Sequence, residues 1–217
     1  NLPQGKNLVG AFYQPVGVFI DVRVLLTLPG RELRAGMVEV VKYGVIRDAA
    51  FFAWLEEHLD RLMALDAEAA LHAVRRSCEI KAQVVAADER EGGLRSILNY
   101  GHTVGHALEA LGAYERLRHG EAVAIGMEVA ACLARLHAGL SEAAARRQHD
   151  VLVRLGVPTR MGGTRADDIM RKVAQDKKAR AGRPCFVLAR RIGEVALYPD
   201  VPMTAVRDCL LACGAEP

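Results

Sequence analysis

From Arg31 onward, apolar residues recur at helical spacing, and residues that start or stop helices mark off the segments. Glu32 to Ile46 carries such a pattern. Asp48 is a good N-cap for a helix running to Leu65, and Asp66 caps another that reaches about Asp88. Helices are predicted over Thr103–Leu111, Glu121–Ala138, Arg165–Lys177 and Pro202–Cys213. Ser141 with Glu142 opens one more, which ends at Gly156 before Pro158. Strand character is confined to residues 184–189 and 194–197, joined by a turn at Gly193, and to residues 17–21 near the front. So few strands cannot build a doubly wound parallel sheet, and neither G-x-G-x-x-G nor a P-loop occurs. The expected fold is mainly α: a multi-helical domain over residues 31–217 with a short β hairpin, preceded by an N-terminal strand within residues 1–30.

Composition narrows the classes further. With 51% hydrophobic and 25% charged residues, the chain can bury a core and is not a disordered tail. A net charge of +3 without a basic stripe argues against nucleic acid as a partner. The stretch Ala122–Leu136 is too short for a membrane span and is interrupted by Glu128, so no membrane association is expected. Five cysteines without a C-x-x-C pair point to a reducing, cytoplasmic setting, with Cys209 and Cys213 read as small apolar residues on a helix. The first residue is Asn1 rather than Met, which suggests a fragment of a longer protein. Only six of the 29 basic residues are lysines: Lys6, Lys42, Lys81, Lys172, Lys177 and Lys178. Arginine bias explains their scarcity, but each position is then worth inspecting.

The densest polar cluster is Asn99-Tyr-Gly-His102-Thr-Val-Gly-His106. His102 and His106 lie one helical turn apart on one face, a spacing that can offer two imidazoles to a metal. His119-Gly120-Glu121 supplies a third imidazole just before a helix. Glu39, flanked by apolar residues in Met37-Val-Glu-Val-Val-Lys42, is either a surface residue or a buried carboxylate ligand. His58, His72, His137 and His149 sit on polar or mixed faces and carry no functional reading. If the lysines converge on the histidines, the pocket joins a divalent cation to several ammonium groups. That combination suits a small, multiply anionic substrate.

These residues form a wider pattern. Asp88-Glu-Arg-Glu-x-Gly-Leu-Arg95-x-x-Leu-Asn99-x-Gly-His102-Thr-x-Gly-His106 resembles the signature of the 3-dehydroquinate synthase family. So do Gly5-Lys6-Asn7, Thr27-Leu-Pro-Gly-Arg-Glu32, Glu39-Val-Val-Lys42-Tyr-Gly, His119-Gly-Glu-Ala-Val-Ala-x-Gly-Met127 and Asp176-Lys177-Lys178, in the family's order. The resemblance implies an NAD- and metal-dependent lyase with zinc or cobalt. Such an enzyme converts 3-deoxy-D-arabino-heptulosonate 7-phosphate to 3-dehydroquinate and phosphate in the shikimate pathway.

Carried over by motif, the resemblance implies Glu39, His102 and His119 as metal ligands. It moves His106 from the metal to the substrate and its proton transfers. Lys42, Lys81, Arg95 and Asn99 join His106 in catalysis. Lys6, Asn7 and one of Lys177 and Lys178 bind substrate, and Thr27 and Glu32 lie near NAD. The resemblance also implies a homodimer. Residues 1–30 then correspond to the end of an N-terminal NAD-binding α/β domain, and residues 31–217 to the metal- and substrate-binding domain. On this reading the chain alone binds metal and turns over little or nothing. The rival readings are another sugar-phosphate cyclase, a metal-dependent alcohol dehydrogenase and an inactive metal-binding module.

Overall fold

In a computed structural model, the structure describes residues 9–11, 13, 15–89, 93–112, 116–174 and 184–217. A 3₁₀ turn over Val22–Thr27 leads into helices α1 (Gly30–Arg47), α2 (Ala49–Met63) and α3 (Ala67–Ala87). A second 3₁₀ turn, Leu94–Asn99, precedes α4 (His102–Leu111), α5 (His119–His137), α6 (Glu142–Leu155) and α7 (Ala166–Ala174). Strands β1 (Phe186–Arg191) and β2 (Glu194–Tyr198) form one antiparallel hairpin, and α8 (Met203–Ala212) closes the chain.

The helix boundaries follow local chemistry. Asp48 is extended and accepts a hydrogen bond from the Phe51 amide at 2.9 Å, satisfying a donor that the first turn of α2 leaves free. Asp66 does the same for Ala69 at 3.0 Å, and Ser141 for Ala144 at 3.2 Å. Asp48 also receives Arg76 of α3, with Nε at 2.7 Å, so one carboxylate both caps α2 and ties it to its neighbour.

Helix α5 is the centre of the molecule. Ala122 to Met127 is buried on every side, and both α1 and α4 pack on it. The contacts are backbone to backbone. A Cβ added at Gly120 would lie 1.9 Å from the Ala35 carbonyl oxygen of α1, and one at Gly126 would lie 1.9 Å from that of Gly101, which precedes α4. Gly101 has φ of 76°, where side chains are disfavoured, and a Cβ there would meet Met127 at 2.7 Å. Tyr100, fully buried, donates to Gln148 Oε1 at 2.7 Å, and Gln148 donates to the Met127 carbonyl at 3.0 Å. This chain of bonds pins the turn before α4 to α5 and α6. The first four residues of β1 are buried, and the hairpin's Gly193 amide reaches the Val45 carbonyl at 2.8 Å.

Two expectations change. Residues 17–21 form no strand: among the described residues they have no strand to pair with, and an unpaired strand leaves its backbone groups unsatisfied. Their side chains stay exposed, Phe19 fully so. Cys209 is buried as expected, but it is disulfide-bonded to Cys132 of α5, with Cα atoms 5.8 Å apart. The packing of α8 on α5 creates that pair, which a sequence separation of 77 hides. The two 3₁₀ turns were not signalled by any apolar period. Among the described residues, no helix is long and apolar enough to cross a membrane.

Two outcomes follow from this packing. Gly126→Ala should destabilise the protein by about 2–3 kcal/mol in urea unfolding, because the obstacle is backbone that cannot rotate away. Burial raises the Asp48 pKa, but the helix-cap bond and Arg76 outweigh it and hold the carboxyl below its ordinary value. Its stabilisation is therefore complete above about pH 4 and lost as the pH falls through the lower folded value. Asp48→Asn should flatten part of the fall in urea midpoint below about pH 4.

Candidate active site

Three helices contribute to one cluster. Glu39 projects from the middle of α1, His102 begins α4 and His119 begins α5. Glu39 Oε1 lies 3.5 Å from His102 Nε2 and 3.7 Å from His119 Nε2. This oxygen is buried and has no hydrogen-bond partner. The other oxygen, Oε2, accepts from Lys42 Nζ at 2.6 Å. Lys42, one helical turn along α1, is only 3% exposed.

The opposite edge of each imidazole faces an acceptor. His102 Nδ1 lies 3.0 Å from the Tyr100 carbonyl oxygen, and His119 Nδ1 lies 3.1 Å from Glu109 Oε2. A carbonyl and a carboxylate can only accept, so each ring carries its proton on Nδ1 and presents the Nε2 lone pair to Glu39. Burial, with the charge of Lys42, lowers the His102 pKa to about 4, so that ring is neutral near pH 7. The Glu109 hydrogen bond raises that of His119. Burial alone would raise the Glu39 pKa, but the charge and hydrogen bond of Lys42 lead the opposing influences and hold the carboxyl below its ordinary value.

Two lone pairs and an orphaned carboxylate oxygen, all within 4.8 Å of one another, repel unless a cation lies between them. The donor set of two imidazoles and one carboxylate suits a zinc-like divalent ion with an open position. The residues present therefore fit a metal. The Nδ1 acceptors are the outer partners that orient such ligands.

The remaining sequence-derived candidates lie in different places. His106 joins the cluster, its ring centre 5.2 Å from that of His102 and 6.1 Å from that of His119, and it is exposed to solvent. Burial lowers the Lys42 pKa against the opposing pull of Glu39, and the charge of Lys81 on α3 adds a smaller lowering. Arg95 and Asn99 lie on the 3₁₀ turn that leads into α4, and the Arg95 amide donates to Asp88 Oδ2 at 2.9 Å. Thr27 hydrogen-bonds the Val24 carbonyl at 2.8 Å, and Glu32 pairs with Arg118 at 2.7 Å. Lys6, Asn7, Lys177 and Lys178 lie outside the described residues.

Glu109 was not singled out from sequence. Its signal was present: it lies three residues after His106 and seven after His102, on the same helical face. The pairing of Glu121 with Arg31, at 2.7 and 2.6 Å, was also unforeseen. It ties the first turn of α5 to α1 and holds the Glu121 carboxyl below its ordinary pKa.

Residues 36–179 match the family model described as 3-dehydroquinate synthase C-terminal, and residues 1–35 match the corresponding N-terminal model. The chain belongs to the 3-dehydroquinate synthase family. It is 46% identical over 212 residues to 3-dehydroquinate synthase from two strains of Acidithiobacillus ferrooxidans, covering 98% of this chain. The chain spans 58% of the length of those relatives.

Among solved structures it is similar to a 2-epi-5-epi-valiolone synthase from Streptomyces hygroscopicus subsp. jinggangensis with NAD+ and Zn2+ bound. The TM-score is 0.88 at 30% identity, over 98% of this chain and 59% of that one. It is also similar to a 2-deoxy-scyllo-inosose synthase complexed with carbaglucose-6-phosphate, NAD+ and Co2+. Here the TM-score is 0.82 at 28% identity, over 98% of this chain and 60% of that one.

Because Glu109 holds the His119 tautomer, Glu109→Ala should weaken zinc binding by about 10–100-fold in chelator competition. Unchanged affinity would show that the His119–Glu109 pair has no part in metal binding.

Proposed function

We propose that this chain is the metal- and substrate-binding part of a 3-dehydroquinate synthase, which converts 3-deoxy-D-arabino-heptulosonate 7-phosphate to 3-dehydroquinate and phosphate. The observation that carries the reading is the orphaned Glu39 oxygen facing two imidazole lone pairs, with a buried lysine at its other oxygen. The family membership and the 46% identity to synthases of that name support it. Residues 1–30 would be the end of an NAD-binding α/β domain, and residues 31–217 the helical domain; the split of family matches near residue 35 agrees with this division. The exposed apolar residues of the first segment, Phe19 among them, fit burial against such a domain.

When bound, a divalent ion at Glu39, His102 and His119 supplies Lewis-acid polarisation of substrate hydroxyl oxygens. NAD, when bound, supplies reversible hydride transfer, so that a transient ketone acidifies the neighbouring C–H and phosphate can leave. The protein's own groups do the placing. Lys42, held in the interior by Glu39, sets a fixed positive charge beside the metal ligands. Lys81 and Arg95 extend that field toward the substrate carboxylate and phosphate, and the neutral amide of Asn99 serves there as a hydrogen-bonding group. Lys6, Asn7 and one of Lys177 and Lys178 complete the anion site. His106, exposed beside the proposed metal ligands, carries a proton at the phosphate end. Thr27 and Glu32 belong to the NAD side. The assembly is a homodimer acting in the cytoplasm on a small anionic sugar phosphate, with neither nucleic acid nor membrane involved.

The fold alone fits a second reading, a related sugar-phosphate cyclase, since both structural neighbours are synthases of other names. Product analysis separates the two. The full protein carrying this chain, supplied with NAD and zinc, should release dehydroquinate and phosphate from the heptulosonate phosphate and leave sedoheptulose 7-phosphate and glucose 6-phosphate untouched. Turnover of either alternative sugar in preference would overturn the assignment. His102→Ala should lose its stoichiometric zinc, and unchanged metal content would reject the ligand set.

A further inference from the structure

We propose that His106, Glu109 and His119 form a second, weaker divalent-cation position beside the first. This second position goes beyond the proposed function and shares only His119 with the first. His106 and Glu109 are three residues apart on one face of α4, and His119 faces them from the start of α5. One ligand atom from each lies within 4.8 Å of the other two. The His106 and His119 rings are close to parallel, at 30° and 6.1 Å between centres.

His119 is the shared residue, and its two nitrogens point to different sites. Nε2 faces Glu39 at 3.7 Å, and Nδ1 faces Glu109 at 3.1 Å. A cation on the second side takes the place of the Nδ1 proton, which passes to solvent and leaves His119 as an imidazolate between the two positions, and it finds the buried carboxylate of Glu109 already in position. His106 is exposed, so this side opens to solvent. Two imidazoles and a carboxylate again form a donor set suited to zinc or cobalt.

The second position is the weaker for two reasons. Occupying it breaks the charge-assisted His119–Glu109 bond, and it sets a second dication across one imidazole from the first. An ion held there takes up His106 and covers the solvent side of the cluster, so metal above one equivalent opposes substrate binding.

The test is a zinc titration of the chelator-stripped protein against a chromophoric competitor. Two steps are expected, the second at least about tenfold weaker. His106→Gln and His106→Asn should each abolish the second step and keep the first. His106 is exposed, and retained helical circular dichroism checks that these variants fold. Glu39→Gln should weaken the first step and leave the second. A single step in the unaltered protein, or two steps that survive both His106 substitutions, overturns the proposal. A single step that Glu39→Gln abolishes rejects the second position while supporting the site behind the proposed function. Absence of any zinc binding overturns both.

Discussion

The close approach of α1 and α4 to α5 is the contact on which the rest depends. Each of the three helices carries one candidate metal ligand, so their separation sets the distances between Glu39, His102 and His119. Gly120 and Gly126 allow backbone carbonyls of α1 and of the turn before α4 to lie where a side chain would otherwise be. Neither contact is with a flexible side-chain tip, so a larger residue must move a whole helix. The Tyr100–Gln148–Met127 bonds then hold the turn that delivers His102. Arg31 and Glu121 fasten the turn that delivers His119.

Within that frame the electrostatics are set by pairing rather than by exposure. Burying Lys42 is costly unless its charge is matched, and Glu39 matches it with one oxygen. The other oxygen is left for an ion. The histidines are oriented from behind by groups that can only accept hydrogen bonds, which turns both lone pairs toward the same point. A half-buried carboxylate with one enclosed oxygen, a buried ammonium and two imidazoles would be poor partners on their own. With a cation among them they are a coherent set of partners.

Much of the fold was legible in the chain. The caps at Asp48, Asp66 and Ser141 and the apolar periods place α2, α3 and α6 within a residue or two, because each depends on bonds made inside one segment. The hairpin was legible for the same reason, from two short runs about Gly193. Residues 17–21 were misread because strand propensity says nothing about whether a partner strand exists. The Cys132–Cys209 disulfide was invisible because it joins helices far apart in sequence.

The candidate site divides the same way. Sequence alone determined the helical character of the domain and the identity of the residue types that can hold a metal and an anion. From spacing it placed His102 and His106 on one face of one helix. Only the tertiary structure decided that Glu39 is half-buried with one oxygen wholly enclosed, with Lys42 on the other oxygen and two imidazoles near the enclosed one. It also brought Glu109 to the back of His119. Helical periodicity fixes which side chains share a face of one helix. Which faces meet is decided by how closely the backbones can pack, and here that depends on two glycines in α5.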